Sequence, residues 1–310
     1  MKLLRGLQQI SDISKGTATT IGNFDGVHLG HQALLEALRY KASDLKLQRL
    51  VILFEPPPRE FFKGREAPAR LSSFREKLEM LDQSGVDLVY CVQFNNQMAS
   101  MKAAEFANRY IFSLLRTRYL LIGSDFRFGQ DRLGDITLLN ELAFQQSCIV
   151  ETFPDYFLDK KRVSSTSIRS ALKQGMLKEA AEALGRPYSM YGRVIRGDGR
   201  GGQWGVPTAN INIHRVHLPL QGVFCVNVHR LGKPSIMGVA NIGSRPTVDG
   251  RKNSLEVHLF EVKESLYGEF LRVEFLYKLR DEMKFPTVDA LIGQIHQDVN
   301  TAKAYCTELI

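Results

Sequence analysis

The sequence predicts an α/β half, a parallel sheet with helices on both faces, followed by an antiparallel β-barrel that ends in a helix. Three observations carry this. Up to about residue 185, β-prone and helix-periodic stretches alternate, which is the pattern of βαβ units and a parallel sheet. Beyond that point short β-like runs follow one another without intervening helices, as they do in antiparallel barrels. The chain then closes on an amphipathic stretch with Leu291, Ile292, Ile295 and Val299 on one face. A length of 310 residues suits two cores better than one. The expected division is 1–185 and 186–310.

In chain order, residues 17–21 form a β-prone run that passes into a glycine-rich turn. Residues 29–43 carry Leu34, Leu35 and Leu38 at helical spacing. Residues 50–54 read as a buried strand, ended by Pro56, Pro57 and Pro58, which cannot continue a regular element. A helix is expected at 74–83, a strand at 88–92, a helix at 103–115 and a strand at 119–123. Ser164, Ser165 and Thr166 supply cap hydroxyls for a helix that resumes at 177–184 and stops at Gly185 and Pro187. The barrel strands are expected at 191–195, 223–229, 236–241, 255–261 and 271–276, and the final helix at 288–306.

The composition, 44% hydrophobic and 24% charged, is that of a globular protein. No apolar run approaches the roughly 20 residues needed to span a bilayer, and the first residues lack the apolar core of a signal peptide. A cytoplasmic protein with no membrane partner is expected. Cys91, Cys148, Cys225 and Cys306 are scattered, with no C-x-x-C pair, so reduced and mostly buried thiols are expected. The net charge of +8 suits a nucleic-acid binder or an enzyme that holds several phosphates. Lysine and arginine are spread without a basic run, and no nucleic-acid partner is expected. The sequence leaves room for an oligomer.

The densest chemical signal runs from Gly22, Asn23 and Phe24 to His28, Gly30 and His31, between the first strand and the first helix. Ligands commonly sit there in open α/β sheets. Two histidines three apart in a first helical turn share a side, Gly30 lets a phosphate approach the backbone, and the helix N-terminus offers free N–H groups. Coincidence or a metal pair are the competing readings. Ser165, Thr166 and Arg169 open another helix, where Arg169 can grip departing phosphates; a simple helix cap is the alternative. Asp125, Arg127 and Phe128 follow a strand and fit a stacking pocket for a planar ring, or equally an aromatic core. The Gly197-Asp198-Gly199-Arg200-Gly201-Gly202 run matches G-x-G-x-x-G, but no helix is expected after it, because Pro207 and a β-like run come next, so the dinucleotide fingerprint lacks its context. Thr208 and Asn210 of the P-T-A-N string face one way in an extended segment. A hydroxyl and an amide oxygen make a neutral hard site for Mg²⁺, or else a polar turn. Glu256 and His258 alternate with Leu255, Val257 and Leu259; Glu256 can accept a proton if its face lines a site, and is otherwise solvated.

Taken together, GNFDGVHLGH, FEPPPREFF, GSDFRFG, SSTSIR, GVPTANI, GVANIGSRPTV, LEVHLF, LYG and LRDEMKF resemble the bacterial bifunctional riboflavin kinase and FAD synthetase family over essentially the full chain. The resemblance implies a Rossmann-like nucleotidyltransferase domain that joins FMN to AMP from ATP, releasing pyrophosphate, and a flavokinase barrel that phosphorylates riboflavin. ATP is then a co-substrate, Mg²⁺ a cofactor, and FMN and FAD products or bound ligands. It assigns His28 and His31 to phosphate stabilisation. Ser165, Thr166 and Arg169 become a second phosphate grip, and Asp125, Arg127 and Phe128 the FMN pocket. It assigns Gly22, Asn23, Phe24, Gly30 and Gly197 to ATP, Thr208 and Asn210 to Mg²⁺–ATP, Glu256 to the catalytic base and Arg280 to the flavin.

Three positions depart from the family pattern. Pro57 stands where relatives carry a polar residue, and it has no side-chain donor. Gly202 replaces an arginine and Trp204 a leucine in the glycine loop, which predicts a changed ATP affinity in the kinase half. Competing readings are a chain with one activity, a nucleic-acid binder on an enzyme scaffold, and a nucleotidyltransferase for another phosphate with an unrelated barrel.

Overall fold

The computed structural model describes residues 1–6, 13, 15–197, 200–203, 205–247, 250–260, 262 and 264–308. Asp198, Gly199, Trp204, Val248 and Glu261, which figure in the sequence analysis, lie outside the described residues. The chain forms two compact units, Met1–Pro68 with Phe74–Ser164, and Ala69–Ser73 with Ser165–Ile310.

The first unit is a six-stranded sheet in the order β1-β4-β3-β2-β5-β6, made of β1 (Lys2–Leu4), β2 (Thr17–Ile21), β3 (Gln48–Glu55), β4 (Leu88–Gln93), β5 (Thr117–Gly123) and β6 (Ile149–Phe153). Every pairing is parallel. Successive side chains of a strand point to opposite faces, and both faces are covered. Leu50 and Ile52 join a core with Phe106, Ile111 and Leu139. Val51 and Leu53 join another with Leu34, Leu35 and Leu38. That two-sided burial explains why β3 reads as a continuous apolar run. Of the buried threonines of β2, Thr17 and Thr19 find partners for their hydroxyls, whereas Thr20 Oγ1 has none among the described residues. Thr19 Oγ1 lies 2.8 Å from Thr17 Oγ1 and 3.0 Å from Thr117 Oγ1, and Thr17 donates to the Leu115 carbonyl at 2.8 Å.

The connecting helices are α1 (Leu29–Asp44), α2 (Pro58–Lys63), α3 (Phe74–Gln83), α4 (Asn96–Ala99), α5 (Ala103–Phe106) and α6 (Ile136–Gln145). The single helix expected at 103–115 is α5 continued by a π-helix, Ala107–Leu114. A small hairpin, β7 (Phe157–Leu158) and β8 (Lys161–Arg162), closes the unit.

In the second unit β9 (Ser189–Ile195), β10 (Ala209–Asn212), β11 (Gly222–Arg230), β12 (Lys233–Thr247), β13 (Gly250–Leu259) and β14 (Phe270–Arg280) close a barrel in the order β10-β13-β12-β11-β14-β9. All its pairings are antiparallel. Phe224, Val226, Ala240, Ile242, Leu255, Val257, Val273 and Phe275 fill it. Helices α7 (Ser165–Lys173) and α8 (Leu177–Leu184) contribute Ile168, Leu172, Leu177 and Leu184 to the same core. Gly185 ends α8 in the left-handed region, φ 73°, where glycine carries no Cβ penalty. Where the sequence predicts no helix, a four-residue helix, α9 (Arg200–Gln203), overlaps the end of the G-x-G-x-x-G match; the strand β10 follows it, so the helix of a dinucleotide-binding unit is still missing. The chain ends in α10 (Val288–Glu308).

Candidate active sites

The first site begins where β2 ends. Phe24, Gly26 and Val27 have φ of 46°, 81° and 37°, so the turn after β2 holds two bulky residues in a sparsely populated region. Phe24 is buried and its ring packs under Gly22, where a Cβ would lie 3.0 Å away. The side chain is therefore core, and Gly22 above it is half-buried. Asn23 is exposed beside it. His28 caps α1 in extended geometry, and its Nδ1 accepts from the His31 N–H at 3.4 Å. An accepting Nδ1 places the proton of a neutral His28 ring on Nε2. The two imidazoles stack, centroids 3.7 Å apart at 19°, and Phe24 backs His31 at 4.8 Å. Gly30 packs closely, since a Cβ there would meet the His28 ring and Tyr156 at 3.3 Å and ask them to yield by a few tenths of an ångström.

His31 titrates well below its ordinary range. Burial removes water from the ring, and His28 and Lys77 add positive charge nearby. Lys77 is itself a buried side chain of α3. His31 Nδ1 is buried and has no hydrogen-bond partner among the described residues. A neutral His31 imidazole at a helix N-terminus offers an N–H donor to an anion while avoiding the cost of a buried imidazolium.

Past β5 the structure gives Asp125, Arg127 and Phe128 separate surroundings. Arg162 of β8 bridges Asp125 (3.0 Å) and Asp155 (2.8 Å). Arg127 pairs with Asp135 at 2.8 Å, and Asp135 caps α6 through the Leu138 N–H. Phe128 is buried, stacked on Phe126 at 5.4 Å and near Phe106. Asp125 and Arg127 thus line the surface of the loop while Phe128 anchors it.

Two features near the ends of β3 and β4 escaped sequence reasoning. Phe61 and Phe62 of α2 meet Phe94 edge-on at 5.2 and 5.7 Å, and Phe94 meets Phe54 at 5.7 Å. Phe62 remains 67% exposed. Beside β4 a cavity of about 490 Å³ is lined by Arg5, Glu55, Tyr90, Gln93, Asn95 and Tyr110, among others. Its lining is mixed, with aromatic rings beside polar and charged side chains. The doubled phenylalanines of FEPPPREFF were a visible signal; the cavity, built from distant segments, left none. Pro57 precedes α2 with no side-chain cap, and its carbonyl accepts from Glu60 and Phe61.

The second unit carries Ser165, Thr166 and Arg169 at the start of α7. Arg169 Nε donates to the Ala69 carbonyl at 2.7 Å. On the barrel, Asn210 lies directly opposite Glu256, and Glu256 directly opposite Asn241. Directly paired residues of antiparallel strands share a face, so β10, β13 and β12 present an Asn–Glu–Asn row. Leu255 and Val257 point into the core, so this row is on the outward face, where Glu256 is half-buried. Thr208 is exposed just before β10. The glycine loop presses on this corner: a Cβ at Gly197 would strike the Asn210 amide, and one at Gly201 would lie 3.2 Å from Thr208 Oγ1. His258 Nδ1 is 2.9 Å from the Pro207 carbonyl. Glu282 is the residue missed here; its carboxylate lies over Gly243 of β12, and a side chain there would have to push it aside.

Thr208 and Asn210 are hard, neutral oxygen donors beside backbone that only glycine allows. That donor set fits a Mg²⁺ held mainly by phosphate and water. No cluster of three or more His, Cys, Asp or Glu able to hold a metal occurs among the described residues. Arg280 is elsewhere on the barrel, at the end of β14. It makes a two-pronged pair with Asp298 of α10, Nε to Oδ1 at 3.0 Å and Nη2 to Oδ2 at 2.8 Å.

Comparison with known proteins gives a consistent set of relatives. Residues 10–167 match the FAD synthetase family and residues 184–306 the riboflavin kinase family. A bifunctional riboflavin kinase/FMN adenylyltransferase of Haemophilus influenzae is 45% identical over 98% of this chain and 99% of its own. Namesakes in Escherichia coli K12 (42%) and Pseudomonas fluorescens (44%) match 98% of this chain and 98% and 97% of theirs. A crystal structure from Streptococcus pneumoniae, described as a macrolide-efflux protein, superposes with a TM-score of 0.81 and 30% identity over 96% of this chain and 97% of that one. Among the described residues no helix is long and apolar enough to cross a membrane.

Proposed function

The chain belongs to the bifunctional riboflavin kinase/FMN adenylyltransferase family, and from that membership we propose how its residues divide the work. It phosphorylates riboflavin to FMN with ATP in the C-terminal half. In the N-terminal half it transfers AMP from ATP to FMN, giving FAD and pyrophosphate. The residue assignments rest above all on two juxtapositions in one chain: the stacked His28–His31 pair at a helix N-terminus, and the Asn210–Glu256 pair across the barrel strands.

In adenylyl transfer a phosphate oxygen of FMN attacks the α-phosphorus of ATP and pyrophosphate departs. No covalent enzyme intermediate is needed; placement and charge stabilisation suffice. We assign His28, His31 and the α1 N–H groups to the charge that builds on the α-phosphate. Gly22, Asn23, Phe24 (by its backbone) and Gly30 go to ATP, and Ser165, Thr166 and Arg169 to the leaving phosphates. Asp125, Arg127 and Phe128 go to the FMN pocket. The assignment keeps the nucleotidyltransferase domain at 1–185 and the kinase domain at 186–310, although α7 and α8 pack on the barrel core.

In the kinase reaction the terminal ribityl hydroxyl attacks the γ-phosphorus of ATP, and Glu256 takes the hydroxyl proton. Thr208 and Asn210 would hold Mg²⁺, whose charge offsets that of the phosphates. Gly197 gives ATP close approach to the backbone, and Arg280 faces riboflavin. The reading places the enzyme in the cytoplasm, beside its ATP supply.

Purified protein incubated with riboflavin, ATP and Mg²⁺ is expected to yield FMN first and FAD after it on chromatography. FMN alone would leave the barrel assignment standing and point to Pro57 or a defective first site. Neither product would overturn the reading.

A further inference from the structure

Two of the four cysteines meet in space. Cys225 on β11 and Cys306 on α10 are 81 positions apart in sequence, yet their sulfurs lie 3.7 Å apart as free thiols. The register accounts for this. Cys225 sits opposite Tyr277 of β14, and Tyr277 stacks on Tyr305 with ring centroids 4.9 Å apart. Cys225 Sγ also lies 4.0 Å from the carbonyl of Ala302, which is fully buried. The end of α10 is therefore held against the outward side of β11 and β14. A disulfide of about 2.05 Å would form by drawing the sulfurs together by roughly 1.7 Å.

We propose that Cys225 and Cys306 form a reversible dithiol–disulfide site, oxidised by low-molecular-weight disulfides, which clasps α10 to the barrel and weakens riboflavin binding. Asp298 couples the clasp to the flavin, a step that rests on the assignment of Arg280 above. It lies on the same helix as Cys306 and holds the Arg280 guanidinium in a two-pronged pair with distances of 2.8 to 3.1 Å. Arg280 pairs with Val223 on β11, the strand that carries Cys225. A helix drawn toward β11 moves Asp298, and the short ion pair drags Arg280 with it.

The chemistry balances by thiol–disulfide exchange. The partly exposed Cys306 thiolate attacks one sulfur of the reagent and expels the first thiolate. The Cys225 thiolate then attacks Cys306 Sγ and expels the second. Two protein thiols lose two electrons and two protons, and the reagent is reduced to two thiols. Burial, with Cys306 alongside, pushes the Cys225 thiol up to about 12, so the closing step is slow and the dithiol persists in reducing surroundings.

The test treats the full chain with oxidised glutathione, alkylates residual thiols and maps unreduced peptides by mass spectrometry. A Cys225–Cys306 peptide pair lacking both thiol hydrogens is expected. The oxidised protein should show a severalfold higher KM for riboflavin, restored by dithiothreitol, with unchanged FAD formation from supplied FMN. Cys306→Ser should abolish both effects, and Cys225→Ser should stop at a glutathione adduct on Cys306. If Cys225→Ser does not fold, Cys306→Ser still decides. Glutathione still on Cys306 of the unaltered chain after prolonged incubation at alkaline pH, where the Cys225 thiolate is available, or no reaction at either thiol, overturns the proposal. So does a disulfide that leaves the riboflavin KM unchanged while Arg280→Gln raises it. An Arg280→Gln chain with unaltered riboflavin KM would instead sink the Arg280 assignment, whatever the cysteines do.

Discussion

His31 shows how a single side chain is tuned by its neighbours. His31 is held below its ordinary pKa by burial, by His28 and by Lys77. A folded pKa below the unfolded one means that the unfolded chain binds more protons between the two values. Its contribution to stability is then present above the ordinary histidine range and is lost as pH falls through that window. Lys77→Met removes one of the three causes and keeps an apolar stem in the same space. The pKa of His31 should rise, and the acid limb of the pH–rate profile for FAD formation should move to higher pH. An unmoved limb would mean that another group sets it. Glu256 is tested more simply. Glu256→Gln keeps the shape of the side chain in the Asn210–Glu256–Asn241 row but removes the base. FMN formation should fall by about 100-fold or more, with FAD formation from FMN unchanged; an equal fall in both rates would point to misfolding.

At the scale of elements, the glycine loop and β10 make the sharpest claim. A methyl group on Gly197 would run into the Asn210 amide, whereas Gly202 faces open space. Gly197→Ala should therefore raise the kinase KM for ATP severalfold by displacing Asn210. Gly202→Arg should fit without strain and lower that KM by adding a cation beside the phosphates. Initial rates over an ATP series separate the two, and a Gly202→Arg chain with the parental KM would remove the significance given to that departure. The elements that the sequence made legible are those with a buried, periodic face: β3, α3, α8 and the alternation in β13. β1 is three residues long and β6 is an edge strand with Ile149 half-exposed, so neither shows an apolar run. The change from α5 to a π-helix depends on backbone spacing that composition does not encode. The same limit applies to the sites. Motifs within one turn, such as His28 and His31, were visible as pairs. The Asn210–Glu256 row, Glu282 over Gly243 and the Cys225–Cys306 contact depend on register and were not.

For the whole molecule the question is which residues the barrel needs in order to fold. A division at 185/186 follows the motifs, but the barrel core takes Ile168, Leu172, Leu177 and Leu184 from α7 and α8, and Leu71 from the segment Ala69–Ser73. That segment is well tied. Arg215 donates to the Arg70 and Leu71 carbonyls at 2.8 and 3.0 Å, and Tyr188 donates to Leu71 at 3.1 Å. Each large apolar side chain withdrawn from water contributes about 1.5–3 kcal/mol, and domains have only about 5–15 kcal/mol in hand. A fragment beginning at residue 186 uncovers the floor on which α7 and α8 lie, whereas one beginning at residue 165 keeps it covered. The longer fragment should unfold cooperatively at a clearly higher temperature and keep riboflavin phosphorylation, and the shorter should be marginal. Calorimetry on both decides it. Equal midpoints would mean that α7 and α8 rest on the barrel without stabilising it, and the kinase would then be self-sufficient from residue 186.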